Sequence, residues 1–117
     1  LVGSEMCIRD RAYYVWLCNN CVYDEGTVSS SSLSHLAYSA LVDGVAVCDG
    51  YTGAYDLLLR LEGIECTALM NADHIWTVAE LDGKTYHIDT TWGDQGTRVD
   101  MSFFGMTEAQ SRAKHAW

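Results

Sequence analysis

The dipeptide Asp82-Gly83 sits between two runs, HIWTVAEL and KTYHIDT, in which apolar and polar residues largely alternate. Asp-Gly suits a two-residue hairpin turn because both central positions need positive φ, and period-2 alternation marks half-buried strands. Such a turn fixes the register. With Asp82 and Gly83 central, Leu81 faces Lys84, Val78 faces His87, Trp76 faces Asp89 and His74 faces Thr91. Side chains alternate faces along a strand, so His74, Trp76, His87, Asp89 and Thr91 share one side of the hairpin. Asp89 then lies diagonal to His74 at a backbone separation of about 7 to 8 Å, which His and Asp side chains can bridge. Turn chemistry alone therefore predicts a His74–Asp89 hydrogen bond.

Helical spacing governs the first half of the chain. Tyr13, Trp16, Leu17 and Val22 fall near helical intervals, so residues 12–21 read as a short amphipathic helix closed by Asp24, Glu25 and Gly26. Residues 27–34 form a serine-rich loop, and HLAYSAL resumes apolar character before the turn signal Asp43-Gly44. In CDGYTGAYDLLLRLEG, the residues Tyr51, Ala54, Tyr55, Leu58, Leu59 and Leu61 mark a broad apolar face, with Gly63 as the stop. Residues 64–70 read as a further strand. Helices first and a hairpin sheet afterwards imply a segregated α+β layout.

At 117 residues, with 49% hydrophobic and 20% charged side chains, the chain is expected to form one globular domain that needs no metal or disulfide staple. The segment LVGSEMCIRDR at positions 1–11 has neither helical nor alternating periodicity and looks like adapter read-through. It is expected to be non-native and outside the fold, leaving residues 12–117 as the core domain, itself a fragment. The 7 basic and 16 acidic residues give a net charge of −9 without a basic run, which excludes nucleic acid as a partner and favours a neutral or basic substrate. The run AYYVWLC is far shorter than the roughly 20 residues that span a bilayer, so no transmembrane segment is expected.

A nucleophilic thiol needs stabilisation of its anion, a base within reach and a group that orients the base. Cys48 falls at or just before a helix N-terminus, where free backbone N–H groups favour the thiolate and can hold an oxyanion. A lone cysteine there is more often core, and a lone strand histidine is more often structural. The conjunction of Cys48, His74 and Asp89 at element ends weighs against both bland readings. His87 shares the hairpin face but sits nearer the turn, making it a weaker base, and Cys66 lies within a strand and reads as packing. Cys18 and Cys21 form a C-x-x-C on an apolar helix, with no second pair to complete a zinc site, and read as packing rather than metal or redox chemistry.

Three stretches carry a family likeness: AYSALVDGVAVCDGYTGAYDLLLRLEGIEC, HIWTVAELDGKTYHIDTTWGD and the tail MTEAQSRAKHAW. Together they closely resemble the bacterial transglutaminase-like domain, a branch of the papain-like cysteine enzymes. The most specific parts are G-x-A-V-C-x-G-Y before a leucine-rich helix, H-x-W opening the hairpin and Y-H-x-D-x-T-W leaving it. The resemblance implies a papain-like core with the nucleophile helix packed on an antiparallel sheet. It makes Cys48 the nucleophile, His74 the general base and acid, and Asp89 the orienting carboxylate. Papain-like proteases carry an oxyanion glutamine six residues before the cysteine, where this chain has Val42, and Gln95 and Gln110 lie far downstream. The Cys48 backbone N–H and the Tyr38 hydroxyl are the substitute candidates, while Trp76 and Trp92 either wall the acyl groove or fill the core.

The expected function is cysteine-dependent acyl transfer on a protein or peptide amide through a thioester, most simply as a peptidase or amidase. Protein crosslinking and a non-catalytic interaction module are the alternatives. No metal or other cofactor is expected, since the extra domains of calcium-dependent transglutaminases and the paired C-x-x-C motifs of peptide N-glycanase relatives are not found in this sequence. The resemblance favours an extracellular or cell-surface location and leaves substrate, acyl acceptor and oligomeric state open.

Overall fold

The protein is described by a computed structural model over residues 4–24, 35–81 and 83–117, with side chains from residue 8 onward. Its elements are α1 (Ser4–Asn20), β1 (Val22–Tyr23), a π-helical turn (Ser39–Asp43), β2 (Val45–Ala46), α2 (Cys48–Leu61), β3 (Glu65–Met70), β4 (Ile75–Leu81), β5 (Lys84–Ile88), α3 (Thr90–Gly93), a 3-10 turn (Met101–Phe103) and α4 (Glu108–His115). Strands β3, β4 and β5 form an antiparallel sheet in that order, and β1 pairs with β2 in parallel. This is the expected α+β architecture with the cysteine-bearing helix against the sheet.

The hairpin register follows from its turn as expected, with Leu81 opposite Lys84, Val78 opposite His87 and Thr77 opposite Ile88. Gly83 supplies φ of +76°, while Asp82, the other expected turn residue, lies outside the described residues, as does the serine-rich loop 27–34. The strand ends earlier than its β-branched Thr90 and Thr91 imply. Asp89 leaves the ladder and becomes the N-cap of α3, its carboxylate accepting from the Trp92 N–H. Capping outcompetes pairing here because Asp satisfies an orphan helix donor that a continued strand would not offer.

Helix α2 buries Tyr51, Ala54, Tyr55 and Leu59 against β3 and β4, whereas Leu61, expected on this face, is exposed at the helix end. Thr52 and Asp56 are also buried on α2, and Asp56 accepts a hydrogen bond from the Thr77 hydroxyl on β4. Helix α1 lies across α2 and α3 and inserts Tyr14 and Leu17 into the core. Residues 4–11, expected outside the fold, continue this helix to its N-terminus. Asp10 is buried with its carbonyl accepting from the Tyr55 hydroxyl, and Arg9 pairs with Glu62 at 2.7 Å. An ion pair and backbone contacts hold this turn instead of an apolar stripe, so periodicity does not reveal it.

Tyr14 also fixes the turn that carries Asp89. Its hydroxyl donates to the Asp100 carbonyl at 2.6 Å and lies against Gly93, where an added Cβ would overlap the phenol. Gly93→Ala should therefore destabilise the domain by about 3 kcal/mol through overpacking. Urea denaturation checks this, and a loss below about 0.5 kcal/mol would mean that Tyr14 and α3 separate easily.

Candidate active site

Cys48 opens α2, where the N-cap residue Val47 is extended and supplies no side-chain cap to the first turn. The thiol is half-buried and lies 3.8 Å from Asp49 Oδ1, while Asp49 Oδ2 is held by His35 Nδ1 at 2.8 Å. His74 immediately precedes β4. Its backbone N–H and that of Asp73 both donate to Asn71 Oδ1, at 2.8 and 2.9 Å, in a side-chain turn that aims the ring. His74 Nε2 is 2.8 Å from Asp89 Oδ2, which leaves Nδ1 as the other ring nitrogen, and the Cys48 thiol lies near enough to the ring to influence its charge. His74 and Asp89, both singled out from the sequence, thus meet directly, with the Cys48 thiol in the neighbourhood of the ring.

The His74–Asp89 contact arises by a route different from the expected one. Asp89 reaches the ring as a helix cap, beyond the last ladder pair, not as a diagonal strand neighbour. The carboxylate has no exposed surface, yet all its strong donors are supplied: the Trp92 N–H on Oδ1 at 3.0 Å, and His74 Nε2 and His115 Nε2 on Oδ2, each at 2.8 Å. Burial opposes its charge, but the hydrogen bonds from His115 and His74, the His74 charge and the Trp92 N–H outweigh it and hold the carboxyl below its usual range. For His74, burial disfavours the imidazolium, but the hydrogen bonds and charges of Asp89 and Cys48 prevail and raise the ring to about 9.

His115 has no role in the reading from sequence, although its tail carries part of the family likeness. The available signal is local: Ser111 and His115 stand four apart and so share one face of α4. The ring is buried and stacks on Trp76 at 3.8 Å between centroids and 3° between planes. Trp92 in turn covers His74 at 4.5 Å and 8°, so it walls the imidazole, whereas Trp76 is core with no exposed surface.

His74, Asp89 and His115 are also the one group of ligating side chains, among the described residues, whose donor atoms lie within 4.8 Å of one another. Their spacing fits hydrogen bonds better than coordination. Ligand atoms about 2.0 Å from a tetrahedral metal stand roughly 3.3 Å apart, whereas both nitrogens here are 2.8 Å from the same oxygen.

The other candidates separate cleanly. His87 Nδ1 accepts from Trp76 Nε1 at 3.0 Å, and burial is the main cause that lowers its pKa, so it is a buried acceptor. Burial, reinforced by nearby acidic charge, pushes Cys18 up to about 12 and Cys66 up to about 11. Burial also takes Cys21 up to about 11, ahead of the opposing Tyr51 hydrogen bond. The C-x-x-C is thus part of the core and unsuited to redox exchange at neutral pH. Tyr38 precedes the π-helical turn and is largely exposed, as is Val42.

A mixed α+β core that brings a helix-leading cysteine beside a histidine and a buried aspartate is the class of arrangement shared by papain-like folds. The sequence profile of the transglutaminase-like superfamily matches residues 8–117, and the chain belongs to that family. Over 102 residues it is 26% identical to kyphoscoliosis peptidase of Mus musculus and 24% identical to that of Homo sapiens. Each match covers 73% of this chain but 15% of the relative's length. Among solved structures it is similar to a TGase, with a TM-score of 0.62 and 18% identity over 74% of this chain and 26% of that one. It is also similar to a candidate cysteine protease from Cytophaga hutchinsonii, with a TM-score of 0.55 and 21% identity over 70% of this chain and 30% of that one. These structural likenesses establish the fold.

The raised His74 value has a thermodynamic consequence. A histidine at 6.5 when unfolded and about 9 when folded contributes stability that is fully present below pH 6.5 and lost as pH rises through 9. Between about pH 6 and about pH 10 the wild-type protein should lose about 3 kcal/mol relative to His74→Gln, read as the difference of urea-unfolding free energies. Parallel pH profiles for the two proteins would contradict the charged His74.

Proposed function

We propose that this domain is a cysteine-dependent acyl-transfer enzyme that cleaves protein or peptide amides through a thioester on Cys48. The observation that supports the reading most is the 2.8 Å contact of His74 with a buried carboxylate, which, with the Cys48 thiol near by, raises the ring to about 9. That pairing favours an imidazolium beside the sulfur at neutral pH, the state from which a thiolate attacks a carbonyl carbon. The His74 proton then passes to the leaving amine, and the free imidazole takes a proton from the water that resolves the thioester. Asp89 keeps the ring oriented through both transfers. The uncapped first turn of α2, including the Cys48 N–H, faces the developing oxyanion. An amine in place of water would turn the same intermediate into a crosslink.

The family membership and the fold shared with a TGase and a candidate cysteine protease support this reading. So does the contrast among thiols, since burial holds Cys18, Cys21 and Cys66 protonated at neutral pH. Iodoacetamide at neutral pH should therefore modify Cys48 selectively, and His74→Ala should abolish the selectivity. Equal labelling of Cys48 and Cys66 would favour a non-catalytic interaction module.

On a peptide amide substrate, Cys48→Ala should abolish turnover while changing stability by no more than about 1 kcal/mol. Asp89→Asn should lower kcat by roughly 10²- to 10⁴-fold, and an unchanged rate would make Asp89 purely structural.

A further inference from the structure

Asp89 is held from two sides. His74 reaches Oδ2 from the position just before β4, and His115, 26 residues beyond Asp89 in the chain, reaches the same oxygen from the last turn of α4. Behind His115, Trp117 Nε1–H donates to Ser111 Oγ at 3.3 Å, and the same hydroxyl lies 3.0 Å from His115 Nδ1. The Ser111 carbonyl, 3.1 Å from the same nitrogen, is the i−4 carbonyl of the helix ladder. Asp89 is held ionised and can only accept, so His115 Nε2 carries the proton of their 2.8 Å bond.

Several features hold this arrangement in place. Ala116 takes a left-handed φ of 56°, and the chain reversal that follows lays Trp117 under the Arg112 guanidinium at 3.9 Å. Asn71, whose Oδ1 aims His74, donates from Nδ2 to the His115 carbonyl at 2.7 Å, so one side chain ties both histidines to a common frame. The left-handed alanine is strained by about 1 kcal/mol or more, and such strain persists only where the surroundings over-determine it.

We propose that His115 is a positioning residue: a second imidazole that donates to Asp89, keeps it ionised and aimed at His74, and extends Cys48–His74–Asp89 into a four-residue unit. This rests on the acyl-transfer reading above and deepens it. His115 touches neither substrate nor sulfur. Its effect passes through Asp89, whose low pKa depends on the His115 bond as well as on His74. The other titratable groups facing this pair are Tyr14 and Cys18 from α1, whose ionisation the Asp89 charge disfavours, and His87 from β5, beside His115.

The test is the pH profile of Cys48 alkylation by iodoacetamide, which needs no knowledge of the substrate. His115→Phe keeps a ring on Trp76 but removes the donor. The acid limb of the profile, where Asp89 protonates and the imidazolium–thiolate pair is lost, should move up by about one to two pH units. His115→Gln, whose amide can donate to the same oxygen, should restore most of that shift. Ser111→Ala retains the ring but removes the hydroxyl that holds its Nδ1 side and receives Trp117, and it should move the limb in the same direction even if His115→Phe fails to fold.

An acid limb that stays in place in Ser111→Ala and in every folded His115 variant, with alkylation still dependent on His74, would overturn the role of His115 alone. Wild-type alkylation indifferent to His74→Ala would overturn the acyl-transfer reading and this proposal together.

Discussion

A carboxylate with no exposed surface organises this protein, because an isolated buried charge costs several kcal/mol and must be matched by donors. The donors to Asp89 come from three places distant in sequence: the N-terminal turn of α3, the residue before β4, and the end of α4. Folding α4 onto the hairpin therefore supplies one of the three donors to the carboxylate. The site and the fold are not separable. Whatever loosens α4 or the Tyr14–Gly93 contact releases a group on which the charge of Asp89, and through it that of His74, depends.

The same burial separates the thiols. Cys18 and Cys21, packed in the core, are pushed to about 12 and about 11, while Cys48, alone among the described thiols, heads a helix with an uncapped first turn. Opposite environments acting on groups of one chemical kind assign their roles, as they do for paired carboxylates in other enzymes. Trp92 and Trp76 add the low-dielectric wall. Trp92 shields the exposed side of His74, and Trp76 fixes His115 from below, so the hydrogen bonds to Asp89 are protected from competition by water.

The hairpin was legible from its sequence because Asp82-Gly83 and the largely alternating runs leave one register, and that register brings together the strand ends beside which His74 and Asp89 stand. The start of α2 at Cys48 was legible from the apolar spacing that follows it. Three features were not. Asp89 ends its strand because a cap competes with the ladder, a contest that β-branched Thr90 and Thr91 disguise. Helix α1 extends to Ser4 on an ion pair and backbone bonds, which leave no hydrophobic period. His115 joins the site through a contact spanning 26 residues, and no local pattern encodes such a separation. The fold class depends on periodicities and could be read. The second support of the carboxylate depends on tertiary packing and could not.

The most direct test of the buried network is an NMR titration of the His74 ring nitrogens in the intact domain, in wild type and in Asp89→Asn. The expected result is an imidazolium that persists through neutral pH and titrates near 9 in the wild type, then falls sharply when the carboxylate becomes an amide. A His74 ring that titrates near its ordinary 6.5 in the wild type, or is indifferent to Asp89→Asn, would contradict the coupling on which the site is built.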